Sequence, residues 1–212
     1  MSNKIIGIDL DDTLYSFCAA ARAELAEWDG PEAEQFRKAA YAIWTDWRSA
    51  DDLCGGEFMK VIERVHEDDS ILSQEPFPDA VDAVRALDEA GHRLLYISSR
   101  DPKCWKATYQ WLDECGFPVH DRNLICTYDS KIPHLAGAQF IIDDRPKTLV
   151  EFVYDFQWKY KHGSESKERQ RRGFGLHVTQ NLSLTDVPNI YLAPTWALLR
   201  HYLADKGDLL DG

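Results

Sequence analysis

Short apolar runs recur along the chain, and the segments between them have apolar residues at helical spacing. A strand buried on both faces of a parallel sheet is a near-continuous apolar run, whereas an amphipathic helix repeats its apolar positions every three to four residues. Strands joined by helices in this alternation require right-handed crossovers. We therefore predict an α/β protein with a doubly wound parallel sheet, with strands at residues 5–8, 93–100, 123–127, 140–142 and 189–193.

Helix start and stop signals lie between the later strands. Asp79 is predicted to cap a helix whose apolar face includes Val84 and Leu87, and Gly91 is predicted to end it. The Asp-Pro pair at 101–102 supplies an N-cap and a first-turn proline for a second helix. A third is predicted from residue 195 to about 206.

The segment between the first and second strands has helical rather than strand patterning. Its longest apolar stripe has the spacing of one helical face and follows a break at Gly30-Pro31. We predict a helical cap over residues 15–77, inserted into a core formed by residues 1–14 and 78–212. The stripe consists of Phe36, Ala40, Ile43, Trp44 and Trp47, and a later apolar set consists of Phe58, Ile62 and Val65.

The first strand ends in the sequence Asp-Leu-Asp-Asp-Thr-Leu, which begins at Asp9. Ligands of open α/β sheets bind at the carboxyl ends of the strands. There, one carboxylate of Asp9 and Asp11 can attack phosphorus while the other transfers protons, and a divalent cation can neutralise the phosphate charge. Thr13 is expected to hold the turn through a side-chain hydrogen bond. An ordinary acidic loop has the same composition, so this motif predicts phosphoryl-transfer chemistry only if further motifs of the same kind are present.

Three more strand ends carry chemistry of the same kind. Ser98 and Ser99 offer hydroxyl donors to phosphate oxygens, and Lys131 offers a point charge. Asp143 and Asp144 offer the oxygen ligands that Mg2+ prefers. Each piece alone has an ordinary explanation, but four strand ends of this kind in this order indicate phosphoryl-transfer chemistry.

The four motifs resemble those of the haloacid dehalogenase superfamily of phosphohydrolases. The resemblance implies a Rossmann-like core, with Asp9 as the nucleophile that becomes an aspartyl-phosphate and Asp11 as the general acid and base. It implies that Ser98 and Lys131 hold the phosphoryl group. It also implies one Mg2+, held by Asp9, the backbone carbonyl of Asp11, and the pair Asp143 and Asp144.

Within that superfamily the chain is most similar to the 5'(3')-deoxyribonucleotidases. The likeness rests on the form of the first motif, on Glu-Pro-Phe-Pro-Asp at 75–79, and on Ile-Ile-Asp-Asp-Arg at 141–145. It implies that Phe17 faces the nucleobase, and one of Trp44 or Trp47 is a second candidate for that contact. Asp12 stands where many superfamily members carry glycine.

Composition limits the choice of partner. The 212 residues carry a net charge of -12, which argues against binding a nucleic-acid backbone as the main activity. Five cysteines, an odd count without metal-ligand spacing, argue against a disulfide framework, and no run has transmembrane length. We expect a cytoplasmic protein without a membrane partner. A polar, basic stretch at 159–173 is predicted to be a loop.

The expected reaction is Mg2+-dependent hydrolysis of a nucleoside or deoxynucleoside 5'-monophosphate through an aspartyl-phosphate. Two other functions stay open. The first is a polynucleotide 3'-end phosphatase that uses the arginines at 169–172 to guide a strand. The second is a phosphate- or nucleotide-binding module without turnover, although all four motifs are filled.

Overall fold

A six-stranded parallel sheet forms the centre of the computed structural model, which describes residues 3–43, 47–155, 171–176, 187–206 and 209–210. The strand order is β3-β2-β1-β4-β5-β6, so β1 lies in the middle between β2 and β4. This arrangement confirms the predicted α/β class. The strands are β1 (Ile5–Ile8), β2 (Arg93–Ser98), β3 (Leu124–Cys126), β4 (Phe140–Asp143), β5 (Arg172–Leu176) and β6 (Ile190–Ala193).

Helices follow β1, β2, β4 and β6, and they pack against the sheet or against one another. Their bounds are α1 (Phe17–Glu27), α2 (Ala33–Ala40), α3 (Trp47–Leu53), α4 (Phe58–Val65), α5 (Asp68–Leu72), α6 (Ala80–Glu89), α7 (Trp105–Cys115), α8 (Pro146–Val153) and α9 (Trp196–Asp205). Short 3-10 turns cover Pro102–Cys104 and Ile132–Leu135. No described helix has the length and hydropathy needed to cross a membrane.

The predicted helix signals are only partly realised as hydrogen bonds. The Asp101 side chain accepts a 2.9 Å hydrogen bond from the amide of Lys103, as expected, and Gly116 ends α7 with a φ of 84°. Asp79 precedes α6 but makes no side-chain cap, because its own φ of 65° lies in the left-handed region. The predicted cap by Asp79 is therefore wrong, because its carboxylate does not accept a hydrogen bond from the amides of the first turn.

The segment at 15–77 carries α1 to α5, and its two ends meet at the core. The amide of Phe77 donates a 2.8 Å hydrogen bond to the carbonyl of Leu14, so the chain returns to the point where it left. The prediction that the apolar stripe from Phe36 to Trp47 forms one face of a single helix is wrong. α2 ends at Ala40, and Ile43 is 88% exposed, while Trp44 lies outside the described residues.

The loop predicted for 159–173 is wrong at its C-terminal end; residues 156–170 lie outside the described part of the chain. Arg171 is buried, and its guanidinium donates to the carbonyl of Leu135 at 2.8 Å and pairs with Asp155 at 2.9 Å. The next five residues form β5 beside β4. Arg171 is therefore a structural residue inside the core rather than a guide for a nucleic-acid strand.

Candidate active site

The carboxyl ends of β1, β2 and β4 lie side by side because these strands are adjacent and parallel. Ile8 is in register with Tyr96 on one side and Ile142 on the other. The amide of Asp9 continues the sheet with a 2.9 Å hydrogen bond to the carbonyl of Ile142. Residues that follow the three strands must therefore share one small volume, which is how motifs far apart in sequence come together.

Lys131 lies between two of the predicted carboxylates. Its Nζ is 2.5 Å from Oδ1 of Asp9 and 3.0 Å from Oδ2 of Asp143. The other oxygen of Asp143 accepts a 2.8 Å hydrogen bond from the amide of Arg145. All of Lys131, Asp9 and Asp143 are at most 5% exposed, so water screens their charges weakly.

This burial has opposite consequences for the two partners. Burial raises the pKa of Asp9 to about 7, because desolvation and the nearby carboxylates of Asp143 and Asp11 outweigh the ammonium of Lys131. Burial alone lowers the pKa of Lys131, but the charges of Asp143 and Asp9 raise it above its ordinary value. Lys131 therefore stays charged, and Asp9 is the carboxylate that needs further positive charge to be ionised.

A third carboxylate, Asp144, completes an acidic cluster. One oxygen each of Asp9, Asp143 and Asp144 lies within 4.8 Å of the other two. Burial and the charge of Asp143 raise the pKa of Asp144 well above its ordinary value, and Asp144 makes no ion pair within the described ranges. Three carboxylates thus share one ammonium, and their oxygen donors fit a hard divalent cation such as Mg2+.

Asp11 is held by donors at and just after the end of β2 and by one donor at the start of the cap. Its Oδ1 accepts hydrogen bonds from Nη2 of Arg100 at 2.9 Å, from Nε of Arg100 at 3.1 Å and from the hydroxyl of Tyr15 at 2.7 Å. Its Oδ2 accepts a 3.0 Å hydrogen bond from Ser98. The carboxylate is therefore fixed in one orientation beside Asp9.

Arg100 is the residue of this site that sequence reasoning missed. Its side chain is 1% exposed and also donates a 2.8 Å hydrogen bond to Thr108. Burial alone raises the pKa of Asp11, but the charge of Arg100, together with the close approach of His66, holds it well below its ordinary value. The sequence signal was an arginine directly after the two hydroxyls of a strand end, a position that more often faces solvent.

We predict that Arg100→Met lowers the free energy of unfolding by about 3–5 kcal/mol, because it leaves the Asp11 carboxylate buried without its cation. Urea denaturation at neutral pH measures the change. Arg93→Met is the matched control, because Arg93 is exposed at the start of β2 and the same substitution there removes no buried pair. Equal losses in the two variants would contradict the role given to Arg100.

The two serines of the second motif have different surroundings. Ser98 is fully buried, and its hydroxyl both donates to Asp11 and accepts a 3.2 Å hydrogen bond from the amide of Arg100. Ser99 is exposed and lines the cavity above the carboxylates. Ser98 therefore orients Asp11 in this arrangement, and Ser99 is the hydroxyl of the pair that faces the space for a substrate.

Two residues predicted to belong to the site, Thr13 and Phe17, do not line the cavity. Thr13 is fully buried, and its Oγ1 has no hydrogen-bond partner among the described residues, so the predicted turn-holding bond is not formed. The turn is held instead through the carbonyl of Thr13, which accepts a 2.8 Å hydrogen bond from the indole of Trp196. Phe17 is 1% exposed and packs on His66 with ring centroids 5.4 Å apart, so its expected contact with a base is corrected to a packing role.

Asp12 shows why glycine is common at its position. Its φ of 54° lies in the left-handed region, which aspartate tolerates better than most side chains. Its carboxylate accepts hydrogen bonds from the amide of Cys18 at 2.9 Å and from the thiol of Cys18 at 3.0 Å. The side chain thus ties the turn after β1 to the first turn of α1.

A cavity of about 350 Å³ opens directly above these carboxylates. The residues that follow β1 and β4 contribute its carboxylates, which we call the floor, and the rest of its lining comes mainly from the cap and from the segments that follow β2 and β3. The cap contributes Met59, Ile62, Glu63 and His66, and the segments that follow β2, β3 and β4 contribute Ser99, Lys103, Tyr128 and Arg145.

Comparison with solved structures shows the same fold. A haloacid dehalogenase family hydrolase from Deinococcus radiodurans R1, solved with bound phosphate and sodium, superposes with a TM-score of 0.61 at 16% identity, covering 99% of this chain and 98% of that chain. A provisionally assigned haloacid dehalogenase-like hydrolase from Burkholderia xenovorans LB400 gives a TM-score of 0.55 at 15% identity, covering 96% and 98%. These likenesses confirm the predicted fold class.

Sequence comparison identifies the family. A provisionally named nucleotidase of Bacillus cereus is 36% identical over 82 residues, which is 37% of this chain and 43% of that protein, so the chain spans less than half of that relative's length. The family model described as "5' nucleotidase, deoxy (Pyrimidine), cytosolic type C protein" matches residues 3–155. Because that match extends over well more than half of the chain and includes every motif of the site, the protein belongs to this cytosolic type C family of 5'-nucleotidases.

Proposed function

We propose that the protein is a Mg2+-dependent nucleoside or deoxynucleoside 5'-monophosphatase that works through an aspartyl-phosphate on Asp9. The observation that carries the proposal is the 350 Å³ cavity, which joins the carboxylate floor to a wall with apolar side chains. Family membership supports the substrate class, because the matching family is named for 5'-nucleotidase activity.

The shape and lining of the cavity support a substrate with a flat apolar group. Cavities of this volume accommodate molecules of nucleotide size. Met59 is 59% exposed and Tyr128 is 72% exposed, and both line the cavity. An exposed aromatic ring at a cavity wall can pack on a nucleobase. Tyr128 therefore replaces Phe17 as the candidate for contact with the base.

Positive charges in the cavity lining support an anionic reacting group. Lys131 is fixed on the floor by Asp9 and Asp143, and Arg145 and Lys103 line the walls. When bound by Asp9, Asp143 and Asp144, Mg2+ would neutralise phosphate charge and polarise the phosphoryl group. Ser99 lines the cavity, and we propose that it and the amides of the turn after Asp9 donate hydrogen bonds to the phosphoryl oxygens.

The proposed reaction consists of two in-line displacements. Asp11 is ionised in the substrate-free site, because against the effect of burial Arg100 lowers its pKa, and it takes its proton from the entering phosphomonoester monoanion. Asp9 then attacks phosphorus while Asp11 gives that proton to the departing nucleoside oxygen, so the P–O ester bond breaks as the Asp9–P bond forms. Asp11 then takes a proton from water, which attacks phosphorus and releases Asp9. Because Arg100, Tyr15 and Ser98 fix the Asp11 carboxylate, most of the proposed catalysis is positioning and charge neutralisation.

The substrate class is tested by phosphate release from purified protein. The panel contains ribo- and deoxyribonucleoside 5'- and 3'-monophosphates, small sugar phosphates, and oligonucleotides with a 3'-terminal phosphate, each with and without Mg2+. We expect the highest kcat/KM for nucleoside monophosphates. A preference for sugar phosphates or for oligonucleotide ends would agree with the proposed phosphatase reaction and contradict the proposed substrate. Binding of nucleotides without any release would instead indicate a binding module.

We predict that Mg2+ stabilises the wild-type protein, by about 2.7 kcal/mol at a free concentration 100 times the dissociation constant. Thermal unfolding across a Mg2+ titration measures the effect. Asp144→Asn should lose most of this stabilisation, because it removes one of the three carboxylates. Asp121→Asn is the control, since Asp121 is exposed in the loop before β3. An unchanged Mg2+ response in Asp144→Asn would contradict the assignment of that ligand.

A further inference from the structure

His66 brings a polar nitrogen of the cap to the carboxylate that the proposed mechanism uses as the acid. It follows α4, and its Nε2 is 3.5 Å from Oδ1 of Asp11, longer than an ordinary N–H···O hydrogen bond. The side chain is 10% exposed, and within the described part of the chain Nε2 has no hydrogen-bond partner. A buried polar atom of this kind costs free energy unless a ligand satisfies it.

Asp11 does not satisfy this nitrogen because its nearer oxygen is already occupied. Oδ1 accepts three hydrogen bonds, two from Arg100 and one from Tyr15, and all three are between 2.7 and 3.1 Å long. His66 lines the cavity beside this oxygen. Its Nε2 is therefore available to a group that enters the cavity and approaches Asp11.

Phe17 packs on the imidazole of His66, and Cys104 holds the backbone of the same residue. Phe17 packs against the ring with a centroid distance of 5.4 Å and an interplanar angle of 50°. The carbonyl of His66 accepts a 3.4 Å hydrogen bond from the thiol of Cys104, which lies on the core side of the cavity. The burial of Phe17 thus has a function in this arrangement, because it supports the ring that reaches the site.

We propose that Nε2 of His66 donates a hydrogen bond to the leaving oxygen of the bound phosphomonoester. The proposal rests on the proposed function, because it assumes that Asp11 protonates that oxygen. A donor 3.5 Å from Oδ1 of Asp11 can contact the same oxygen that receives the proton. No proton leaves His66: the P–O bond electrons pass to the leaving oxygen, Asp11 supplies the proton, and His66 stabilises the charge that develops.

This role predicts that the effect of removing His66 depends on the leaving group. An alkoxide is a poor leaving group and carries much charge as the P–O bond breaks, so it gains most from a hydrogen bond. A 4-nitrophenolate delocalises that charge over its ring and gains little. A residue that only supports the fold would change both reactions by the same factor.

The experiment compares kcat/KM for an alkyl phosphomonoester and for 4-nitrophenyl phosphate in three variants. His66→Phe should lower kcat/KM for the alkyl ester by about 10- to 100-fold and that for 4-nitrophenyl phosphate by less than about threefold. His66→Gln, which can place an amide donor near the position of Nε2, should recover part of the loss. His201→Gln is the control, because His201 is exposed on α9.

Equal losses on both esters in His66→Phe, or no recovery in His66→Gln, would overturn the role of His66. The result can be separated from the substrate proposal, because the comparison uses whichever alkyl phosphomonoester the wild-type protein hydrolyses best. If that ester is a sugar phosphate, the substrate proposal fails, and the ratio between the two leaving groups still tests His66. Unfolding midpoints of the three variants show whether a loss of activity reflects a loss of fold.

Discussion

Asp9→Asn is expected to lower kcat by at least about 10^4-fold while the protein stays folded, because the amide cannot form the aspartyl-phosphate. The position is accessible to the cavity and is held beside Lys131 and the carboxylates that follow β4. Phosphate release with the best nucleoside monophosphate measures the loss. Asp82→Asn, on the exposed face of α6, should keep wild-type activity.

The same substitution should make the metal-free protein more stable. Because burial raises the pKa of Asp9 from 3.8 to about 7, the folded state favours the protonated acid and the unfolded state favours the anion. The wild-type protein therefore loses stability relative to Asp9→Asn as pH rises from about 4 to about 7. Above that range the difference should level off, after growing by about 4 kcal/mol for a rise in pKa from 3.8 to about 7.

Urea denaturation of both proteins without divalent cations, at a series of pH values, measures this difference. A gain in the variant that grows between pH 4 and pH 7 agrees with an ionised Asp9 that is short of positive charge. A variant that is less stable than the wild type at pH 8 would mean that the pair with Lys131 stabilises the fold, and would contradict our account of the cluster. Near-wild-type turnover by Asp9→Asn would remove Asp9 as the nucleophile.

Asp11→Asn is the second variant with a large expected effect, about 10^2- to 10^4-fold in kcat, since it removes the general acid and base. The loss should be smaller in the phosphoryl-transfer step with 4-nitrophenyl phosphate, whose leaving group needs no proton. It should stay large in the hydrolysis of the aspartyl-phosphate, which needs the base. Pre-steady-state release of 4-nitrophenolate separates the two steps.

The stability of this variant is expected to fall as well. Asp11 has a pKa held well below its ordinary value, chiefly by Arg100 against the opposing effect of burial, so the carboxylate stabilises the fold above the unfolded pKa. That contribution is lost as pH falls through the folded pKa. Asp11→Asn removes it at neutral pH and leaves Arg100 without its anion, so activity must be compared at a temperature where the variant is folded.

The sequence predicts those site residues whose position is determined by the end of a strand. Asp9, Ser99, Lys131 and Asp144 each follow a strand, and the parallel sheet brings the ends of adjacent strands together. Arg100 was not predictable, because its role depends on register: it lies beside Asp11 only because Ile8 pairs with Tyr96.

Tertiary packing explains the predictions that were wrong. β5 has the sequence Arg-Gly-Phe-Gly-Leu, and its glycines have low strand propensity. It forms a strand because it pairs with β4 on one side and β6 on the other. A Cβ on Gly173 would lie 3.1 Å from a methyl carbon of Leu149, so glycine lets α8 approach the sheet closely.

Phe17, on the cap side of the site, is another residue whose surroundings are determined by tertiary packing. The resemblance to the 5'(3')-deoxyribonucleotidases implied that Phe17 faces a nucleobase, but the ring turns into the core and packs on His66. Tyr128, which is exposed in the cavity wall, gave no comparable signal because it lies in a short loop after β3. The distribution of side chains between core and cavity follows from packing, which local spacing does not encode.

The central claim is that the phosphoryl group passes through Asp9, and mass spectrometry of Asp11→Asn mixed with 4-nitrophenyl phosphate and Mg2+ tests it most directly. In this variant phosphoryl transfer proceeds and hydrolysis is slow, so acid quenching should trap a phosphorylated protein. We predict one added phosphoryl group on the peptide that contains Asp9, and none in a double variant that also carries Asp9→Asn. A phosphoryl group on another residue, or no trapped phosphate while the wild-type protein turns over, would contradict the account.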